Sequence, residues 1–100
     1  MAPIKNISII GDGGWGTTLA ILLAEKGFSV TLWGAFPEYM VEMGRTRENR
    51  KFLPGIKLPF SIILTADIET AIQMGDIIVL AVPSQYLLDV LKKMKKSRWQ

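Results

Sequence analysis

The strongest constraint on this chain is a glycine-rich run between a predicted strand and a predicted helix. Residues 11–16 read Gly-Asp-Gly-Gly-Trp-Gly, after the β-branched apolar stretch 7–10 and before an apolar segment of helical period. In this setting Gly11 permits a tight turn, Gly13 lets the backbone approach a pyrophosphate, and Gly16 lets the helix pack closely on the strand. Unpaired N–H groups at the helix start would then face the phosphates. The strand–turn–helix context therefore predicts a dinucleotide-binding turn.

Strands and helices alternate along the rest of the chain. The predicted strands are Lys5–Ile10, Ser29–Trp33, Ile62–Leu64 and Ile77–Val82. The predicted helices are Trp15–Lys26, Glu38–Met43 with Gly44 ending it, Ile68–Met74, and a last helix that begins near Ser84. The segment 45–61, with its two prolines, is predicted to be an extended surface loop. This order predicts an α/β fold, a Rossmann-like open parallel sheet with strand order 3-2-1-4, and a ligand crevice between the first and fourth strands.

Length and composition limit the classes of protein that fit. One hundred residues, 49% apolar and 21% charged, suit one small folded domain. Cysteine and histidine are both absent, so we predict no disulfide framework, no metal site and no histidine general base. The longest apolar run, Ile77 to Pro83, is far shorter than the about 20 residues of a membrane span. The N-terminus does not resemble a signal peptide, and we expect a cytoplasmic protein without a membrane span.

The positive charge is concentrated in two places. Five of the twelve cationic side chains lie in the last nine residues: Lys92, Lys93, Lys95, Lys96 and Arg98. We interpret them as the solvated end of a helix and predict no nucleic-acid partner. A second cluster comprises Arg45, Arg47, Arg50 and Lys51. It is either a solvated loop or a clamp on the 2′-phosphate of a cofactor or on a substrate phosphate.

The end of the second strand does not reveal which dinucleotide binds. An acidic side chain there binds the ribose hydroxyls of NAD, whereas an arginine accommodates the 2′-phosphate of NADP. Residues 33–36 read Trp-Gly-Ala-Phe, with neither an acid nor a base. Glu38 or the arginines of segment 45–50 could reach back, and Trp33 or Phe36 either flanks an adenine or packs in the core. Asp12 is expected to point away from the phosphates, and the choice between NAD and NADP stays open.

Four stretches together resemble one enzyme family. They are Gly-Asp-Gly-Gly-Trp-Gly-Thr-Thr-Leu-Ala at 11–20, Val-Thr-Leu-Trp-Gly at 30–34, Asn-Arg-Lys-Phe-Leu-Pro-Gly-Ile-Lys-Leu-Pro at 49–59, and Ala-Val-Pro-Ser-Gln-Tyr at 81–86. In this order and at these distances, they resemble the N-terminal part of the NAD(P)-dependent glycerol-3-phosphate dehydrogenases. The first stretch fits many dehydrogenases, and the third and fourth are more specific.

The resemblance implies a reaction and a set of cofactor contacts. The family interconverts sn-glycerol 3-phosphate and dihydroxyacetone phosphate by hydride transfer with NAD or NADP, which serves phospholipid biosynthesis. The implied cofactor-binding residues are Gly11, Gly13, Gly14, Trp15, Gly16, Ala35, Pro83 and Tyr86. Gly14 and Trp15 would contact the pyrophosphate, and Tyr86 would lie near the nicotinamide. Ala35 would lie at the adenosine end, where family members often carry Arg or His.

The family's catalytic lysine follows a fifth strand, and its substrate-binding groups lie in a following helical domain; none of these matches this chain. We therefore expect residues 1–100 to be an incomplete NAD(P)-binding domain, inactive alone, with no catalytic residue and with substrate bound by a missing C-terminal domain. The exposed edge of the fourth strand would be a site of self-association. Two alternatives stay open: a non-catalytic dinucleotide-sensing module, and the cofactor domain of another hydroxy-acid or ketopantoate-type dehydrogenase, against which the Leu-Pro-Gly loop argues.

Overall fold

The computed structural model describes residues 3–96, which form a four-stranded parallel sheet with helices on both faces and a small two-stranded hairpin. The strands are β1 Asn6–Ile10, β2 Ser29–Trp33, β3 Glu48–Asn49, β4 Leu53–Lys57, β5 Ile63–Thr65 and β6 Ile77–Leu80. The helices are α1 Gly14–Glu25, α2 Pro37–Thr46, α3 Ile68–Met74 and α4 Ser84–Lys96. None of these helices is long and apolar enough to cross a membrane. Of the predicted basic tail, Arg98 lies outside the described residues.

The main sheet has the order β5-β2-β1-β6, and every pairing in it is parallel. This confirms the predicted fold class and the order 3-2-1-4. The last residue of β1, Ile10, lies beside Trp33 of β2 and Leu80 of β6. Because parallel strands end at the same edge, the segments that follow these three strands lie next to one another.

The two central strands carry the core because helices cover both of their faces. One apolar cluster lies between the sheet and α1 and α2, and includes Ile7, Ile9, Ala20, Val30, Leu32, Met40, Met43, Leu58 and Ile62. The other lies between the sheet and α3 and α4, and comprises Ile10, Trp33, Ala71, Ile72, Val90 and Met94. Together these clusters fix the carboxyl ends of β1 and β2, where the predicted ligand crevice begins.

The prediction of an extended surface loop over 45–61 is wrong. Residues 48–57 form the antiparallel hairpin of β3 and β4. Pro54 lies inside β4, which is tolerated because a strand with a single neighbour has one edge free of ladder hydrogen bonds. Pro54 is therefore compatible with the hairpin, and Pro59 lies beyond its end.

The end of α2 also differs from the prediction. Pro37 occupies the first turn as its fixed φ favours, but the helix continues through Gly44 to Thr46. Arg47 then ends it in the left-handed region, with φ of 54°. Its guanidinium donates to the backbone carbonyls of Pro59 at 2.5 Å and Ile62 at 2.9 Å. Arg47 therefore ties the end of α2 to segment 59–62, and it is neither a solvated side chain nor a phosphate clamp.

Candidate functional site

A cleft of about 640 Å³ opens at the carboxyl ends of β1, β2 and β6. The glycine turn forms one wall, the segment after β6 and the start of α4 form the opposite wall, and the loop of the β3–β4 hairpin closes a third side. The lining residues are Gly11, Asp12, Gly13, Trp33, Ala35, Phe36, Tyr39, Lys51, Phe52, Ala81, Val82, Pro83, Tyr86, Asp89, Val90 and Lys93. The structure thus places the turn and segment 83–86 across one cleft from each other.

Two glycines of the turn have no room for a side chain. Gly11 has φ of 128°, and a Cβ there would overlap the carbonyl oxygen of Ala81 and lie 3.1 Å from Val82 Cγ1. A Cβ on Gly16 would overlap the carbonyl oxygen of Gly11 and lie 3.3 Å from Ala81 Cβ. The start of α1 therefore packs directly on the turn and on the segment that follows β6.

Gly13 differs from these two glycines because the space beside it is open. It is the N-cap of α1, with extended φ and ψ of −69° and −175°, and no side chain caps the helix. A Cβ placed on Gly13 meets no atom within 4 Å. The first N–H groups of an uncapped helix lack partners within the helix, so this end of α1 can receive an anion through the opening at Gly13.

Gly14 and Trp15 form the first turn of α1 but do not line the cleft. A Cβ on Gly14 would lie 3.2 Å from the carbonyl oxygen of Phe52, so this glycine lets the hairpin approach the helix. The indole of Trp15 is 68% exposed. Any contact of these two residues with a phosphate would be made through their backbone N–H groups, and that contact stays a prediction.

Asn49 connects the hairpin to the glycine turn, and sequence reasoning missed this role. Its side chain is 1% exposed and donates from Nδ2 to the carbonyl of Asp12 at 2.6 Å and to Thr17 Oγ1 at 2.7 Å. Its Oδ1 accepts from Tyr39 Oη and from the N–H of Phe52. A buried, fully engaged amide holds the turn, the first turn of α1 and the hairpin in one arrangement. The only sequence signal was its place at the start of the 49–59 stretch.

Asp12 turns its carboxylate toward Gly34 at the end of β2. A Cβ placed on Gly34 would overlap Asp12 Oδ2 and lie 2.7 Å from Asp12 Cγ. Burial raises the pKa of Asp12, while a hydrogen bond from its own backbone N–H and the nearby charge of Lys51 act in the opposite direction. The carboxylate therefore lies in the cleft wall beside the end of β2, and its orientation away from the phosphates stays a prediction.

The predicted adenosine end combines exposed residues with a buried aromatic. Ala35 and Phe36 line the cleft, and Phe36 is 70% exposed, so its ring is free to flank a base. Trp33 is 3% exposed and packs in the core, although its Nε1 has no hydrogen-bond partner within the described part of the chain. Lys93 lies 5.6 Å from the Trp33 ring and lines the cleft, so it is not simply part of a solvated tail.

Pro83 and Tyr86 lie on the wall opposite the turn. The N–H of Tyr86 donates to the carbonyl of Pro83 at 2.9 Å in the first turn of α4, and the Tyr86 side chain is 53% exposed toward the cleft and solvent. Of the basic cluster at 45–51, Lys51 lines the cleft, whereas Arg45 and Arg50 do not. A role as phosphate clamp is therefore left to Lys51.

The cleft fits a dinucleotide. Its volume lies within the range of about 300–1,000 Å³ found for ligand pockets. An uncapped helix start lies beside an open glycine, and apolar side chains line most of the wall. These are the features that hold a pyrophosphate between two flat rings.

Comparisons with known proteins agree with this geometry. The family model for the N-terminus of NAD-dependent glycerol-3-phosphate dehydrogenase matches residues 6–99. The enzyme named glycerol-3-phosphate dehydrogenase [NAD(P)+] is 46% identical over 86 residues in Prosthecochloris aestuarii and 47% identical over 92 residues in Syntrophomonas wolfei. These alignments cover 86% and 92% of this chain, but 26% and 27% of the two relatives. The chain thus spans about a quarter of their length.

A solved structure shows the same fold. The glycerol-3-phosphate dehydrogenase of Coxiella burnetii superposes with a TM-score of 0.85 at 33% identity, covering 91% of this chain and 28% of that one. A diketoreductase also shares the fold, with a TM-score of 0.63 at 22% identity. The sequence left two kinds of dehydrogenase open, the glycerol-3-phosphate dehydrogenases and the hydroxy-acid or ketopantoate-type enzymes. The match to the family model selects the first. The chain belongs to the NAD-dependent glycerol-3-phosphate dehydrogenase family and corresponds to its N-terminal part.

Proposed function

We propose that this chain is the cofactor-binding part of an oxidoreductase that interconverts sn-glycerol 3-phosphate and dihydroxyacetone phosphate with NAD or NADP. The observation that supports it best is the uncapped start of α1, which opens into the cleft at Gly13. The relatives named above are NAD(P)+ enzymes, in agreement with the predicted cofactors. Since the chain spans about a quarter of their length, the substrate and the catalytic groups are assigned to the remainder of such an enzyme.

In this proposal each wall of the cleft has one task. The backbone N–H groups of residues 14–16 hold the pyrophosphate, and the surface around Ala35 holds the adenosine. Pro83 and Tyr86 form a largely apolar wall that keeps one face of the nicotinamide from water. The bound cofactor supplies or accepts the hydride, and this chain binds and orients it. The non-catalytic sensing module stays the alternative, and the cytoplasmic location stays a prediction.

The decisive test is a calorimetric titration of the chain with NADH and NADPH, comparing two Gly→Ala variants. G13A adds a methyl group where the structure leaves open space, so it should fold and still obstruct the phosphates. G44A adds the same methyl group inside α2, outside the cleft, where the nearest atom is Leu64 Cδ1 at 3.9 Å. We expect saturable binding by the wild type and by G44A, weakened about tenfold or more in G13A because a pyrophosphate contact is worth at least 1.4 kcal/mol.

Folding of every variant is checked by circular dichroism. If a folded wild-type chain binds neither dinucleotide, or if G13A binds as tightly as G44A, the assignment of the cleft is wrong. Glycerol 3-phosphate oxidation by a longer protein that contains this chain then separates the enzyme from the sensing module.

We also propose that the chain associates with itself through β6. Within residues 3–96 this strand pairs with β1 alone, which leaves its other edge free, and its first residue, Ile77, is 40% exposed. Unpaired strand edges recruit other strands, and a lysine there opposes pairing. Sedimentation of the wild type and of I77K should show a self-associating wild type and a monomeric variant. A monomeric wild type would contradict the proposal.

A further inference from the structure

We propose that Asp12 binds the ribose hydroxyls of the adenosine and thereby makes this site prefer NAD to NADP. The inference rests on the proposed function, because it assigns a role within the dinucleotide cleft. The sequence has no acidic residue at the end of β2. In this inference Asp12, which lies in the glycine turn, takes the role of that residue.

The sheet register brings the two positions together. Ile10 and Trp33 are partners in adjacent parallel strands, and the N–H of Gly11 donates to the carbonyl of Trp33 at 2.9 Å. The next residue of each segment, Asp12 and Gly34, therefore meets the other just beyond the paired strands. At this point an acidic residue of β2 would contact the ribose in a dinucleotide fold.

Gly34 leaves the space that the Asp12 carboxylate fills. A side chain at position 34 would begin 2.7 Å from Asp12 Cγ and would overlap both Oδ2 and the sulfur of Met40. The space beside Gly34 therefore holds both the Asp12 carboxylate and the Met40 sulfur, and a side chain from β2 would displace them. Ala35, the next residue, also lines the cleft.

The chemistry of the group sets the direction of the preference. An ionised carboxylate only accepts hydrogen bonds, so it pairs with the two ribose hydroxyls of NAD. The 2′-phosphate of NADP would bring negative charge to the same carboxylate inside a partly desolvated cleft, where repulsion is strong. Burial raises the pKa of Asp12, and the nearby charge of Lys51 acts against that rise, so Lys51 also offsets part of this repulsion. Since Lys51 is exposed, its charge is well screened by solvent and salt. We therefore expect the Asp12 carboxylate, and not Lys51, to set the preference between NAD and NADP.

The test measures NADH and NADPH dissociation constants by calorimetry for the wild type, D12N, D12S and E38Q. Asp12 is held to Asn49 and Thr17 through its backbone carbonyl, so both side-chain variants keep those hydrogen bonds. Glu38 is the rival acid: it is exposed at the start of α2 and does not line the cleft. We expect the wild type to bind NADH at least about tenfold more tightly than NADPH, the size of one or two charge-assisted hydrogen bonds.

In D12N and D12S we expect NADH binding to weaken by about tenfold and NADPH binding to stay or strengthen. E38Q should keep the wild-type ratio. The proposal is overturned by tighter NADPH binding in the wild type, by an equal loss for both cofactors in the Asp12 variants, or by a change of ratio in E38Q alone. Each of these results leaves the proposed cofactor-binding function intact, whereas no binding of either cofactor by a folded wild type removes both.

Discussion

Replacing Asn49 with alanine should loosen the glycine turn, although Asn49 lies outside the turn and does not line the cleft. The variant loses the two hydrogen bonds from Nδ2, to the carbonyl of Asp12 at 2.6 Å and to Thr17 Oγ1 at 2.7 Å. It also loses the two that Oδ1 accepts from Tyr39 and Phe52. Three of the four connect the hairpin to α2, to the glycine turn or to α1, and the fourth, from Phe52, lies within the hairpin.

The magnitude follows from which partners water can reach. Thr17 and Asn49 are 0% and 1% exposed, so water does not replace the two bonds from Nδ2. The carbonyl of Asp12 keeps the bond that it accepts from Thr17 Oγ1, whereas Thr17 Oγ1 loses the donor that it accepts from. Each bond from Nδ2 contributes about 1 kcal/mol net, and a buried acceptor left unpaired costs up to about 3 kcal/mol. Tyr39 and Phe52 are more exposed, and water can replace Asn49 there. The expected loss is about 2–4 kcal/mol, a large part of the about 5–15 kcal/mol that stabilises a domain. In a chain of this size, at about 4–8 °C per kcal/mol, it lowers Tm by about 8–32 °C.

The assay is thermal and urea unfolding followed by circular dichroism, with two reference variants. N49D keeps the shape and both acceptor bonds but sets a carboxylate oxygen against the carbonyl of Asp12, so it should destabilise the chain about as much as N49A. R50A removes an exposed neighbour and should change stability by less than about 0.5 kcal/mol. If N49A unfolds within 3 °C of R50A, or N49D matches the wild type, the donor bonds of Asn49 do not hold the turn.

Three further outcomes follow from single contacts. G16A should lower the free energy of unfolding by about 1–3 kcal/mol because its methyl group overlaps the carbonyl oxygen of Gly11. G44A should be neutral or slightly stabilising. Equal stabilities of the two variants in urea unfolding would contradict this. R47A should lose about 1–3 kcal/mol with its two hydrogen bonds to segment 59–62, and R45A almost nothing, by the same assay. Asp76 accepts from two backbone N–H groups at the start of β1, which lowers its pKa below the ordinary 3.8. The ionised Asp76 therefore stabilises the fold at neutral pH, and this stabilisation is lost as the pH falls through the folded-state pKa. D76N should be less stable than the wild type at pH 7 and approach it in acid. A stability difference that widens in acid would show that the assigned direction of the pKa shift is wrong.

The parts of the fold that were predictable from sequence are those with local causes. The alternation of apolar strands and amphipathic helices predicts the parallel sheet, and the spacing of Gly11, Gly13 and Gly16 predicts the position of the turn. The structure supplies a separate reason for each glycine: two positions have no room for a Cβ, and one opens into the cleft. The spacing of these glycines is a local pattern that the sequence displays, whereas the contacts of Gly11 and Gly16 with Ala81 are seen only in the folded chain.

The hairpin of β3 and β4 was not predictable because its support is long-range. Asn49 reaches back 37 residues to the carbonyl of Asp12, and Arg47 reaches forward to backbone carbonyls 12 and 15 residues away. An asparagine and an arginine among prolines are typical of a solvated loop. Nothing in their local sequence distinguishes a buried amide that joins three segments from one that faces water, and only the fold brings the partners together.

The cofactor preference shows why reading positions one at a time fails at this site. NAD preference is usually predicted from an acidic residue at the end of β2. Gly34 occupies that position here, so the rule predicts neither NAD nor NADP. The parallel register makes residue 12 a neighbour of residue 34, and the Asp12 carboxylate occupies part of the space where a side chain on residue 34 would begin. A glycine at position 34 is therefore what allows the aspartate at position 12 to turn toward the ribose side of the cleft. The two residues, 22 positions apart, form one determinant, and the pair has to be interpreted together.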